Sequence, residues 1–131
     1  MNTSLIHIAA WIALTGFAGM ICFQVLLALG APWGKAAWGG SHRKLPVSLR
    51  IGSLLAVGIY VFGGILILEK AGICTVFDKP LLAEIGIWVL AGIFGLSFIG
   101  NLLSKSKVEK AIMIPVSLVL CITCVLVAWK L

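Results

Sequence analysis

Charge is what this sequence has least of. Asp, Glu, Lys and Arg make up 11% of its 131 residues, and the acidic pair contributes only four of them, whereas about a quarter of a soluble domain is charged. With 62% hydrophobic residues and a mean hydropathy of +1.20, the composition excludes an ordinary soluble domain. It implies an integral membrane protein of one domain, residues 1–131. Cysteine is scarce as well: four in the chain are too few for a disulfide scaffold, and Cys22, Cys121 and Cys124 lie inside apolar runs. The stretch from Met1 to His7 lacks a basic n-region, so the first apolar run is expected to stay as a helix rather than leave as a signal peptide. Internal repeats of the kind that build inverted-repeat transporters are missing too.

What is present is apolar sequence in helix-sized pieces. A spanning helix needs about 20 predominantly apolar residues, and four runs qualify, over about 5–29, 51–68, 81–103 and 111–129. The fold expected is an all-α membrane protein, an antiparallel four-helix transmembrane bundle with both termini on one side. Pro32, Pro46 and Pro80 mark boundaries between runs, and Pro115 falls early in the fourth run, where a kink is expected. Glycines recur along the runs, most densely in the third at Gly86, Gly92, Gly95 and Gly100, which makes that helix the expected packing hub.

The formal charge of +6 comes from ten Lys and Arg confined to short segments between the runs, a pattern of bilayer orientation rather than of nucleic-acid binding. Lys35, Arg43, Lys44, Arg50, Lys105, Lys107 and Lys110 put seven on one side, against three, Lys70, Lys79 and Lys130, on the other. Short cytoplasmic loops carry the excess of Lys and Arg. The expected placement is therefore the inner (plasma) membrane, with the first and third loops in the cytoplasm and both termini outside it.

The longest interruption, residues 32–50, holds two of the five Trp and two of the four Pro. Its motifs Gly30-Ala-Pro-Trp-Gly34, Trp38-Gly-Gly40, Leu45-Pro46 and Leu49-Arg50 are followed downstream by Asn101-Leu-Leu-Ser104, Ser106, Glu109 and Pro115-Val116. Taken together they resemble a group of small four-helix bacterial membrane proteins. The resemblance covers most of the chain and implies the fold, but it carries no catalytic residue across. Small multidrug exporters have a similar size, yet the first run here contains no acidic residue. The polar and phenylalanine pattern of fluoride channels is missing as well.

Aligned by depth, Gln24, Ser53, Asn101 and Ser117 fall in the half of the bilayer next to the basic loops, with Arg50, Ser104, Ser106 and Glu109 just beyond them. Unsatisfied polar groups in hydrocarbon cost several kcal/mol each, so these side chains are expected to seek one another, loop backbone, water or a ligand. Trp33 and Trp38 belong at headgroup level. One reading of this polar cap is structural, with Arg50 paired to Glu109. The other is a binding site made of Trp33, Trp38, Arg50, Asn101, Ser104, Glu109, Gln24 and Ser53, for a lipid headgroup, a small solute or a partner subunit.

At the opposite boundary Glu69, Glu84, Lys70, Lys79 and His7 read as interfacial charges that snorkel or pair, with a proton- or cation-handling role as the other reading. Cys121-Ile-Thr-Cys124 resembles the dithiol of quinone-linked membrane oxidoreductases, but side chains three apart on an intact helix have β-carbons about 5–6 Å apart, whereas a disulfide needs about 3.8 Å. With no His near them in sequence, these thiols are not expected to hold a metal. The expectation is a non-enzymatic protein with no catalytic residue, metal or cofactor, whose partners are membrane lipids and a second copy or another membrane protein. An oligomeric transporter or channel is the alternative, a thiol oxidoreductase a distant third.

Overall fold

The computed structural model describes residues 3–129; Lys130, one of the three basic residues on the terminal side, lies outside them. Four helices carry the fold: α1 Thr3–Ala28, α2 Val47–Lys70, α3 Pro80–Leu102 and α4 Lys107–Ala128. Each is long and apolar enough to cross a membrane. At a rise of about 1.5 Å per residue even the shortest exceeds the hydrocarbon thickness of about 30 Å. The described residues contain no strand.

The helices outrun the apolar runs, because hydropathy does not register a polar first turn. α2 starts directly after Pro46, taking in Ser48 and Arg50, and α4 starts at Lys107, where the Ser106 hydroxyl accepts the Glu109 N–H at 3.2 Å and caps the helix. Pro115 does not end α4, which runs through it to Ala128. α1 stops at Gly30 (φ +97°), where the N–H groups of Ala31 and Gly30 turn back to the carbonyls of Leu26 and Leu27, a reversal that needs the left-handed conformation glycine adopts freely. α2 ends in the same way at Gly72, its N–H bonded to the Glu69 carbonyl.

α1 packs on α2 and α4, and α3 on the same two, so the chain follows the bundle round. α4 is the helix that meets the other three and both turns of the first loop, Gly34–Ala36 and Trp38–Gly40. The hub is therefore α4 and not the glycine-rich α3. Within α3 a Cβ at Gly92 or Gly100 would meet open space while one at Gly86 would overlap Leu66, and elsewhere one at Gly16 would reach 2.7 Å from Leu120 and one at Gly63 2.8 Å from Leu90. Close approach depends on which way a glycine faces, not on how many there are.

The two ends of the bundle are filled differently. Towards the termini, Ala10, Ala13, Ile67, Ile87, Cys124 and Val127 fill an apolar interior, and the buried hydroxyl of Thr123 is spent on the Val119 and Leu120 carbonyls of its own helix. His7 donates from Nε2 to the Ala71 carbonyl at 3.0 Å, and the Glu69 carboxylate accepts the N–H groups of Val76 and Phe77, which fastens the loop between α2 and α3. At the other end, Leu27, Ala37 and Leu45 form a separate small core that holds the first loop down on the helices. Between this cap and the apolar half lies a layer of three aromatic rings, Phe17, Tyr60 and Phe94, with centroids 5.6 to 6.0 Å apart.

Candidate functional site

The cap is two loops bonded to each other. Ser106, at the start of α4, donates its hydroxyl to the Lys35 carbonyl at 2.5 Å, and its own N–H goes to the Ser104 hydroxyl. Ser106 and Glu109 have the spacing of a capping box, in which the glutamate would return to the Ser106 N–H. Here Ser104 takes that N–H, and Glu109 Oε2 accepts instead from the Gly39 N–H at 3.0 Å. The loops approach so closely that a Cβ at Gly40, itself at φ +74°, would overlap Ser106.

Trp38 sits in this contact at φ +51°, a conformation that costs a bulky side chain about 1–3 kcal/mol and persists only where the surroundings impose it. Two contacts impose it here. Its Nε1 donates to the hydroxyl of fully buried Ser53 at 3.2 Å, and its ring lies over Gly52, where a Cβ would come within 3.0 Å.

Beneath Trp38 the helices form a partly open cavity of about 220 Å³ lined by Gln24, Trp38, Tyr60, Phe94, Asn101 and Glu109, among others. Asn101 is oriented by α4: its Nδ2 donates to the Met113 carbonyl at 3.2 Å and to the Ser117 hydroxyl at 3.1 Å. Since a carbonyl can only accept, this fixes the amide and leaves Oδ1 as an acceptor. Glu109 is 5% exposed and Gln24 8%. Gln24 Oε1 is buried with no hydrogen-bond partner at all. Nearly every buried polar group in a folded protein is paired, so an orphan on a cavity wall is an unmet bonding demand.

No family model, curated protein or solved structure matches this chain. Its site is read from its own geometry.

Trp38, Ser97, Asn101 and Glu109 also line a wider cleft that runs between Gly39–Ser41 and the end of α3, so these four side chains stand where the cavity meets the outside of the cap. Of the eight residues proposed from sequence, the structure brings Gln24, Trp38, Asn101 and Glu109 onto the cavity, with Ser53 behind Trp38. Ser104 lines the outer cleft. Trp33 lies elsewhere, on an apolar groove between α1 and α4 with Gly16, Gly19, Pro32 and Lys35.

Arg50 lies elsewhere too and does not pair with Glu109. Its Nε donates to the Ala28 carbonyl at 2.8 Å, and its guanidinium lies against Gly30. It thus satisfies a carbonyl that the end of α1 leaves open and complements the negative end of that helix. Tyr60 also lines the cavity and was not among the expected site residues. Nor were Phe94, Met20 and Met113, since an apolar residue that lines a cavity is indistinguishable in sequence from one that packs or faces lipid.

Cys121 and Cys124 are free thiols on an intact stretch of α4, Cys121 Sγ pointing at the Ala91 carbonyl at 3.5 Å. The His, Cys, Asp and Glu side chains of the described residues form no cluster able to hold a metal ion.

Proposed function

We propose that the protein is a non-enzymatic membrane protein that binds a small polar solute in the cavity under its loop cap. The observation that carries this reading is Gln24 Oε1, buried on the cavity wall without a partner. Such a group costs about 1–3 kcal/mol of stability, a cost that a solute bonded to it would remove. The size suits a small molecule, since a cavity of about 150 Å³ takes up benzene and this one is about 220 Å³.

A binding role is favoured over a continuous channel by the aromatic layer of Phe17, Tyr60 and Phe94 and the close-packed apolar half beyond it. A headgroup clamp that joins Arg50 to Glu109 is disfavoured, because Arg50 is held through Nε at the end of α1 and does not line the cavity. The excess of Lys and Arg around the cap supports a cytoplasmic cap and outside termini in a bacterial inner membrane.

The test is solvent access. In a variant whose native cysteines are replaced by Ser, Ala56→Cys on the cavity wall is expected to react with a small neutral water-soluble methanethiosulfonate, and Ala10→Cys in the packed half is not. Equal protection of the two positions would remove the cavity from consideration.

A further inference from the structure

The groups left open on the cavity wall define what it would bind. The only carboxylic acid among the lining residues is Glu109, and no Lys or Arg of the described residues lines the cavity. Glu109 Oε2 is held by the Gly39 N–H, and no cation pairs with the carboxylate among the described residues. Its position at the third residue of α4 places it at the positive end of that helix, where negative charge is favoured.

The neutral groups lean the same way. Asn101 spends its N–H donors on α4 and presents Oδ1, Trp38 spends its N–H on Ser53, and Gln24 Oε1 waits for a donor. The donors that remain, the hydroxyls of Tyr60 and Ser97 and the Gln24 amide N–H, carry no charge. Four aromatic rings, Phe23, Trp38, Tyr60 and Phe94, stand on the wall. Ring faces attract a desolvated cation and offer an anion nothing.

We propose that the cavity is a site for a small organic cation, a protonated amine whose N–H groups meet Gln24, Asn101 and the Glu109 carboxylate while its alkyl part lies against the aromatic rings. This rests on the cavity reading above and names its ligand class. A lone acidic residue at a helix start would not carry it. The unpartnered Gln24 Oε1 on the same cavity and the absence of any described basic side chain from its lining, Lys35 and Lys105 standing on the outer cleft instead, are what make the site selective.

The probes are three molecules of similar size and different charge: propylammonium, propanol and propionate, titrated calorimetrically at constant ionic strength into purified protein in detergent. The wild type is expected to bind propylammonium at least tenfold more tightly than propanol and propionate least. Glu109→Gln, which keeps an acceptor for Gly39, is expected to fold and to lose that tenfold preference, and Gln24→Leu to weaken propylammonium binding at least fivefold. Propanol or propionate bound as well as propylammonium by the wild type, or a preference unchanged in Glu109→Gln, overturns the cation assignment and leaves the cavity standing. No probe bound by the wild type, or binding unaffected by Gln24→Leu, overturns the cavity reading with it. Should Glu109→Gln fail to fold, the ordering of the three probes on the wild type decides.

Discussion

Glu109 accepts a hydrogen bond from the backbone N–H of Gly39 at 3.0 Å, across 70 residues of sequence. That one bond joins the loop between α1 and α2 to the first turn of α4 and places the carboxylate on the cavity wall, so the same side chain both shapes the cap and charges it. A hydrogen bond to a charged group is worth about 1.5–3 kcal/mol. Glu109→Ala is therefore expected to lower stability by about 2 kcal/mol, and Glu109→Gln by less than about 1 kcal/mol, measured by thermal unfolding in detergent. Equal losses in the two variants would mean that the bond to Gly39 is not what matters.

Gly40 is where the two loops touch, at a left-handed φ of +74° and with Ser106 in the place of a side chain. Gly40→Ala combines strain with overlap and is expected to cost about 2–3 kcal/mol. Gly39→Ala has the left-handed strain at φ +78° but open space around it, and is expected to cost less than Gly40→Ala. The same unfolding assay compares them.

Arg50 and Ala28 give a prediction about the residue that looks most like an anion binder. Since Arg50 closes the end of α1 through the Ala28 carbonyl, Arg50→Ala is expected to cost about 1–2 kcal/mol and to leave affinity for the amine probe within a factor of about two. A loss of binding with stability intact would return Arg50 to the site.

Topology is tested from outside the cell. Cys74 is exposed on the loop between α2 and α3, and Ser41 is exposed on the cap. With the cap cytoplasmic, an impermeant thiol reagent is expected to label Cys74 in intact cells and to miss Ser41→Cys. The reverse pattern would invert the orientation.

The sequence showed the four spans because their signal is local: runs of apolar residues of bilayer length, punctuated by proline and glycine. Their ends were harder to place, since Arg50 and Glu109 read as loop residues although both lie in the first turns of helices. The site was half visible for a related reason. Gln24, Asn101 and Glu109 stand out as polar groups at the edge of apolar runs, but whether such a group faces a cavity depends on how the loop runs above it. The turn-back at Gly30 carries Trp33 towards the groove between α1 and α4 and leaves Arg50 at the end of α1. The positive φ of Trp38 brings its ring over Gly52 instead. Depth along a span says nothing about that path, which is how Arg50 and Glu109 came to be expected as partners.

The most direct measurement is the stability of Gln24→Leu in the absence of any solute. Leu has nearly the volume of Gln, suits a helix equally well, and removes a buried amide whose Oε1 has no partner. If that amide is kept for a ligand at the expense of the fold, the ligand-free variant is more stable than the wild type by about 1–3 kcal/mol and binds the amine probe more weakly. A ligand-free Gln24→Leu variant that is less stable than the wild type would show that Gln24 supports the bundle itself, and would contradict the account.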